Sequence, residues 1–469
     1  MVRVSVNKKF VGIPLALVIL VVGWFLPPIE GLTHEGIVGL AILFAAVAMW
    51  ICETLPMGVT GLLALVLAPL LGIAEINTVF SGFGTTTVIF AMAVFSLTAI
   101  VMKSDLAIRL TGFLVRIAGR DSRKLVLAFM VAGGLLSAVM NDSATLVLFL
   151  GFADTVLENA GHVKGKSNLA KCLYLGSAFA IFMGGMATPA GASINVLALG
   201  LVEQATGQTI PFLSWILAAA PVAIVMIPII WVVLTRVFKP EPIDEESLRV
   251  LTAKAASLGS LTLEEKKTLV FLLGVPVLWI IGSWVPALNV TTVSVVALAL
   301  MCAPGVRLLT FDEFQREVPW TIVIMIGAVI SLGGIVGSTG GVAFLANLFL
   351  NSGVMELGMF LTFWLIVAAV YFTHSFVPVG PAFATILIPP LMTYCMSAGY
   401  SPAIPAILLA AILSGNLLLP INPGLALSYR DNVYSFGDAF KAGIVPVLCL
   451  ITLLAAWVPF MVGVLGIPN

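Results

Sequence analysis

Charge is what this 469-residue chain has least of: Asp, Glu, Lys and Arg make up 9% of it, against 61% hydrophobic residues and a mean hydropathy of +1.16. A soluble domain carries about a quarter of its residues charged, so a water-facing globule is excluded. The chain reads as an all-α polytopic membrane protein. Its formal net charge is zero, from 22 basic and 22 acidic residues, and no nucleic-acid partner is expected. Cysteine pairs are also missing. Cys52, Cys172, Cys302, Cys395 and Cys449 stand singly inside apolar segments, without the spacings used for zinc, haem or redox pairs. No nucleophile and base pair, metal-ligand cluster or nucleotide loop is present, so neither an enzyme nor a prosthetic group is expected, and ATP is not the energy source.

Long apolar runs are what remains. Stretches of about 20 residues fit a bilayer crossing near 10–27, 35–51, 56–74, 87–103, 171–200, 208–236, 269–287, 291–305, 320–337, 403–429 and 441–463, about eleven spans by that measure. Arg3, Lys8 and Lys9 ahead of the first run imitate a signal peptide, but "PPIEG" follows in place of a small-residue cleavage site, so it reads as an uncleaved helix. Two further stretches, 123–157 and 354–396, are too long for one crossing and carry small, polar or proline residues at their centres. Each reads as a re-entrant hairpin. With the N-terminus inside, all 22 Lys and Arg fall on the cytoplasmic face, as the positive-inside rule asks, and the C-terminus lies outside.

The order recurs in the two halves. A hairpin (123–157) precedes a helix broken near 187–195, and a hairpin (354–396) precedes a helix broken near 415–424. An odd number of crossings separates the hairpins, which makes this an inverted-topology repeat. Residues 1–122 and 269–353 form the framing helices of each half, 123–238 and 354–469 the hairpin and broken-helix regions, and 239–268 a charged cytoplasmic linker. In that linker "LTLEEKK" reads as a helix start capped by Thr262. The breaks "GGMATPAGASINVLALG" (184–200) and "SGNLLLPINPGLALSYR" (414–430) hold Pro189, Pro420, Pro423, several glycines and Asn195, Asn416 and Asn422. Matching Pro/Gly interruptions in two inverted halves point to a transporter's midplane site.

The residues around these breaks resemble the divalent anion/sodium symporter family, a branch of the ion-transporter superfamily. "GLAILFAAVAMWICETLPMGVTGLLALVLAPLLGI" (39–73) is similar to a family helix pair around Trp-x-x-Glu-x-x-Pro, matched by Trp50, Glu53 and Pro56. "GGMATPAGASIN" (184–195) is similar to a Thr-Pro-x-Gly-x-x-x-Asn break, matched by Thr188, Pro189, Gly191 and Asn195, and 434–460 matches the final helix. The resemblance implies a homodimer in which a scaffold holds the interface while a transport domain of both hairpins and both broken helices slides as an elevator. It further implies a Ser-Asn-Thr triplet at each hairpin tip, flanked by sodium ions. Both tips depart from it, reading Asn141-Asp142-Ser143 and Val379-Gly380-Pro381.

On this reading the substrate contacts are Asn141, Asp142, Ser143, Thr188, Pro189, Asn195, Gly380, Pro381, Asn422 and Pro423. A first sodium site falls on Ser137, Asn141, Asp142 and Gly191, since hard cations take oxygen ligands. A second would draw on Thr373, Ser375, Gly380 and Asn422. An acid in a membrane segment marks an ion path or a proton relay, so Asp142 fits sodium or proton coupling, or caps the second hairpin helix. His374 is a second proton candidate. No basic side chain is available at the midplane, so an anion would rest on half-helix N-termini, amides and hydroxyls. The expected function is cation-coupled secondary transport of a small anion, a di- or tricarboxylate or sulfate, in a bacterial inner membrane with lipid around it. A cation/proton antiporter or arsenite-type efflux carrier of the same superfamily, or a sensor that has lost turnover, are the alternatives.

Overall fold

The computed structural model describes residues 8–159, 167–242, 249, 252–253, 256–351, 353, 357–430 and 433–467. Among them the regular structure is helical throughout, with no strand. Six helices are long and apolar enough to cross a membrane on their own. Both expected hairpins form. The first has arms Ser122–Ser137 and Asp142–Asn159, the second Met359–Phe376 and Gly380–Ser397. Both broken helices form as well: Asn168–Ala187 with Ser193–Thr206, and Ala403–Leu413 with the short helix Pro423–Ser428.

Proline and glycine explain where the chain leaves helical geometry. Pro189 and Pro420 have no N–H to donate, and the intervening residues turn before the next helix starts. Small residues let the pieces close up: a Cβ on Gly184 would fall 2.0 Å from the carbonyl oxygen of Gly134, so the first hairpin and the first broken helix meet backbone to backbone. The second hairpin packs likewise on Ala403–Leu413.

A frame surrounds these elements. Lys9–Phe25 packs on His34–Ile51, Met57–Leu70 on Trp320–Ser338, and Thr86–Met102 on Val290–Cys302. The Trp50–Pro56 motif is a turn in this frame. Trp50 is buried, its indole N–H donates to Met57 O at 3.0 Å, and Glu53 adopts φ 50° and pairs with Lys8 at 2.7 Å. Two helices in the frame were not foreseen from sequence. Leu106–Ala118 leaves Thr86–Met102 at 61°, and Gly341–Leu350 follows Trp320–Ser338. Each leads from a frame helix toward a hairpin.

Thr262 caps Leu263–Ile281 through a reciprocal pairing with Glu265, and the Glu265 carboxylate also takes Arg109 Nε at 2.6 Å and Nη2 at 3.0 Å. That guanidinium holds the Glu265 carboxyl below the usual carboxylate range. The tie fastens the start of the second half to the bent helix Leu106–Ala118.

Candidate functional site between the hairpin tips

At the first tip the helix start is capped by Asn141, whose Oδ1 accepts Ser143 N–H at 3.1 Å, in the manner of a favoured N-cap residue. Its own N–H donates to Thr98 Oγ1 at 3.1 Å, tying the tip to Thr86–Met102. Asp142 follows as the first helical residue. Its N–H donates to Gly191 O at 3.1 Å, and one carboxylate oxygen accepts Ser143 N–H at 2.7 Å. The tip and the first break are thereby laced together.

The break supplies the rest of the lacing. Thr188 Oγ1 donates to Ala138 O, and Asn195 Nδ2 bridges Gly185 O at 2.8 Å and Thr188 O at 2.7 Å. Gly191 has no room for a side chain: a Cβ there would lie 2.5 Å from Gly185 O and 2.6 Å from Ser137 O. Around this point oxygens converge. A Cβ on Gly185 would sit 3.3 Å from both Ser137 Oγ and Asp142 Cβ and 3.5 Å from Gly191 O. Ser137 Oγ and Asn195 Oδ1 are buried and have no hydrogen-bond partner. Buried polar atoms without partners are costly, and Ser137 Oγ lies close to the Gly191 carbonyl and Asp142. A hard cation satisfies such a set, and one carboxylate among neutral oxygens suits a monovalent ion. The residues present therefore fit sodium.

The second half is built differently. Ser375 Oγ donates to Tyr371 O at 2.9 Å and accepts Asn416 Nδ2 at 2.7 Å; Asn416 Oδ1 accepts the N–H groups of Leu418 at 2.8 Å and Leu419 at 3.3 Å. Asn422 Oδ1 caps Gly424 N–H at 3.0 Å, and its Nδ2 lies 3.3 Å from His374 Nε2. Thr373 is exposed and bonded back to Ala369 O at 2.7 Å. Of the side-chain oxygens expected to form a second cation site, Ser375 Oγ is engaged by Tyr371 and Asn416, Asn422 Oδ1 by Gly424, and Thr373 Oγ1 turns back to its own helix. Residues Thr373, Ser375, Gly380 and Asn422 do not fit a cation in this arrangement.

Between the two tips lies a cavity of about 160 Å³. Asp142, Ser143, Ser193, Gly380, Pro381 and Asn422 line it, and Met57 and Met325 close it from the frame. No described lining residue is Lys or Arg. Three helices of 14 or more residues, Asp142–Asn159, Ser193–Thr206 and Gly380–Ser397, begin at this cavity, and helix N-termini carry partial positive charge suited to an anion.

The family described as the sodium:sulfate symporter transmembrane region matches residues 7–464. The chain belongs to the sodium:sulfate symporter family. Its members are transporters, and this chain is an integral membrane transporter and not an enzyme. Among similar proteins, the sodium-dependent dicarboxylate transporter SdcS of Staphylococcus saprophyticus is 23% identical, over 98% of this chain and 92% of the relative. A membrane protein of Cupriavidus necator is 26% identical over 88% of this chain and 84% of its own length. The YdaH transporter of Alcanivorax borkumensis, whose structure has an unusual topology, shares the fold at a TM-score of 0.55 and 14% identity, over 84% of this chain and 90% of that one.

Within this symporter fold the sequence-based contacts separate into layers. Asp142, Ser143, Gly380, Pro381 and Asn422 line the cavity. Asn141, Thr188 and Asn195 stand behind them, shaping the tip and the break. Pro189 opens the turn, and Pro423 starts its short helix, with a side chain outside what the structure describes. Ser193 and the Gly185 carbonyl went unforeseen. Ser193 was legible as the N-terminus of a half-helix within "GASIN", whereas a backbone carbonyl leaves no mark in a sequence. His374 is fully buried, with Nδ1 lacking a partner and its ring edge-on to Phe383.

Proposed function

We propose that this chain is a sodium-coupled secondary transporter of a small dianion, a dicarboxylate before sulfate. The observation that carries it is the buried oxygen cluster of Ser137, Asp142, Gly185 and Gly191, which abuts the anion cavity through Asp142 itself. Without a cation, the Asp142 carboxylate repels an incoming anion. With sodium beside it, that charge is cancelled and the half-helix N-termini act unopposed, so binding of the one favours the other. A proton on Asp142 would cancel the charge too, but one carboxyl O–H can donate to only one of Ser137 Oγ and Asn195 Oδ1, whereas a cation takes several oxygens at once, which favours sodium. The dicarboxylate preference draws on the SdcS relative.

The second part of the reading is movement. All but two of the cavity residues belong to the hairpins and broken helices (within 123–238 and 354–469), and only Met57 and Met325 come from the frame (1–122 and 269–353), with 239–268 as linker. A substrate held there would travel with the hairpin unit, which supports an elevator. With the basic residues on the cytoplasmic side, Met57 and Met325 sit near the cytoplasmic ends of their helices, so the cavity faces inward.

Uptake of labelled succinate, citrate and sulfate into proteoliposomes, with sodium and pH gradients imposed separately, tests this. Succinate uptake driven by sodium alone is expected. Uptake driven by the pH gradient and indifferent to sodium would overturn the coupling ion, and sulfate preferred over succinate would overturn the substrate class.

A further inference from the structure

The helix Leu106–Ala118 is more than a connector. Its buried face is Leu106, Ala107, Thr111, Gly112, Val115 and Ala118. On the opposite side Arg109 and Arg116, seven residues apart, fall on one line of the helix, beside a ridge in which Phe113 is 61% and Ile117 65% exposed. Basic side chains next to exposed apolar ones on a helix steeply bent from a spanning one are the signature of an element lying in the membrane interface. The guanidiniums open onto a cavity of about 610 Å³, whose other wall is Arg249 and Thr252 of the linker.

Among the described residues, one charge in that cavity, that of Arg116, is not balanced. The Arg109 guanidinium is neutralised by Glu265 and donates to Leu258 O, Gly259 O and Ser260 O. Arg116 is exposed and has no ion-pair or hydrogen-bond partner among the described residues. Glu265, buried and committed to Arg109, does not line the cavity. The corresponding connector of the other half, Gly341–Leu350, reads GVAFLANLFL and has no charged residue. The arginines are thus a feature of one of the two connectors only.

We propose that the cavity between Leu106–Ala118 and the linker binds the phosphate headgroup of an anionic phospholipid, held by Arg116 and Arg249, with the acyl chains running along Phe113 and Ile117. Guanidinium matches phosphate in charge and geometry, and the neighbouring ridge offers the apolar surface that a free phosphate would not need. The inference rests on the reading that the basic face meets the cytoplasmic leaflet. It does not depend on which ion or anion is carried.

The test uses the full-length protein in phosphatidylcholine nanodiscs with and without phosphatidylglycerol, with retained lipid counted by native mass spectrometry and affinity read from a fluorescent phosphatidylglycerol. The protein is expected to retain phosphatidylglycerol over phosphatidylcholine. Arg116→Gln and Arg249→Gln should each weaken it by about fivefold, Arg116→Lys should keep most of the binding, and inorganic phosphate should not compete. Both arginines are exposed, so the variants leave the core intact. Equal binding by wild type and the double variant, no preference between the two lipids, or competition by inorganic phosphate would each overturn the proposal. A variant that transports normally while losing the lipid separates this inference from the transport reading.

Discussion

The two hairpin tips share a topology and differ in what they leave unpaired. Around the first, Ser137 Oγ and Asn195 Oδ1 are buried without partners next to the Asp142 carboxylate. Around the second, Asn416 donates to Ser375, the Oδ1 atoms of Asn416 and Asn422 accept backbone N–H groups, and Gly380 and Pro381 stand at the tip. On the proposed reading the repeat keeps its architecture while one copy keeps the chemistry, and sodium completes the unpaired oxygens at the first tip. Around the second, the buried atom without a partner among the described residues is a ring nitrogen, His374 Nδ1, and not an oxygen.

The strongest blow to this contrast is Gly191→Ala. Its Cβ would meet two backbone carbonyls, which cannot swing aside, so transport should fall to background and sodium should no longer stabilise the purified protein. Wild-type transport in that variant would break the comparison. Next is Asp142→Asn. Removing the only carboxylate of the cluster should weaken sodium by a hundredfold or so in sodium-dependence curves of succinate uptake, with melting behaviour in detergent otherwise preserved. Ser375→Ala sharpens the contrast from the other side. It strands Asn416 Nδ2 and should cost about 1–3 kcal/mol of stability, measured by thermal unfolding, with the sodium dependence of uptake unchanged.

The smallest effect lies away from both tips. Lys103 pairs with Glu313 at 2.7 Å across the basic face, and this ammonium, together with the Thr310 cap, pulls the Glu313 carboxyl from 4.5 down to about 2. A carboxyl lowered on folding contributes stability that is complete above its unfolded value and is lost as pH falls through the folded one. The melting temperature should therefore decline modestly between pH 4.5 and about 2, modestly because the pair is solvent-exposed. Glu313→Gln should flatten that window, while the sodium response of the first tip stays as it was.

Much of this was legible in the sequence because polar and helix-breaking residues are conspicuous against an apolar background. The hairpins, the two breaks and the acid at 142 all announced themselves that way. Ser137, one turn before the tip, followed from the same logic. Thr373 shows where that logic slipped. It lies two residues from Ser375, so on a helix the two point to nearly opposite sides, and the buried Ser375 leaves Thr373 facing outward. The helix Gly341–Leu350 was hidden for another reason: it is as apolar as the helix before it, and only the turn at Thr339–Gly340 separates them. Leu106–Ala118 reads as a charged loop if its basic residues are counted and its 3.6-residue period is ignored. Carbonyl ligands such as Gly185 O lie beyond any sequence reading, since every residue has one.

The central claim is that a single cation site exists and belongs to the first half. The most direct test compares sodium-induced thermal stabilisation of the purified protein in Ser137→Ala and Ser375→Ala. The account predicts that Ser137→Ala weakens the sodium effect by about tenfold in concentration, whereas Ser375→Ala melts earlier but responds to sodium as the wild type does. A sodium response kept in Ser137→Ala and lost in Ser375→Ala would contradict it.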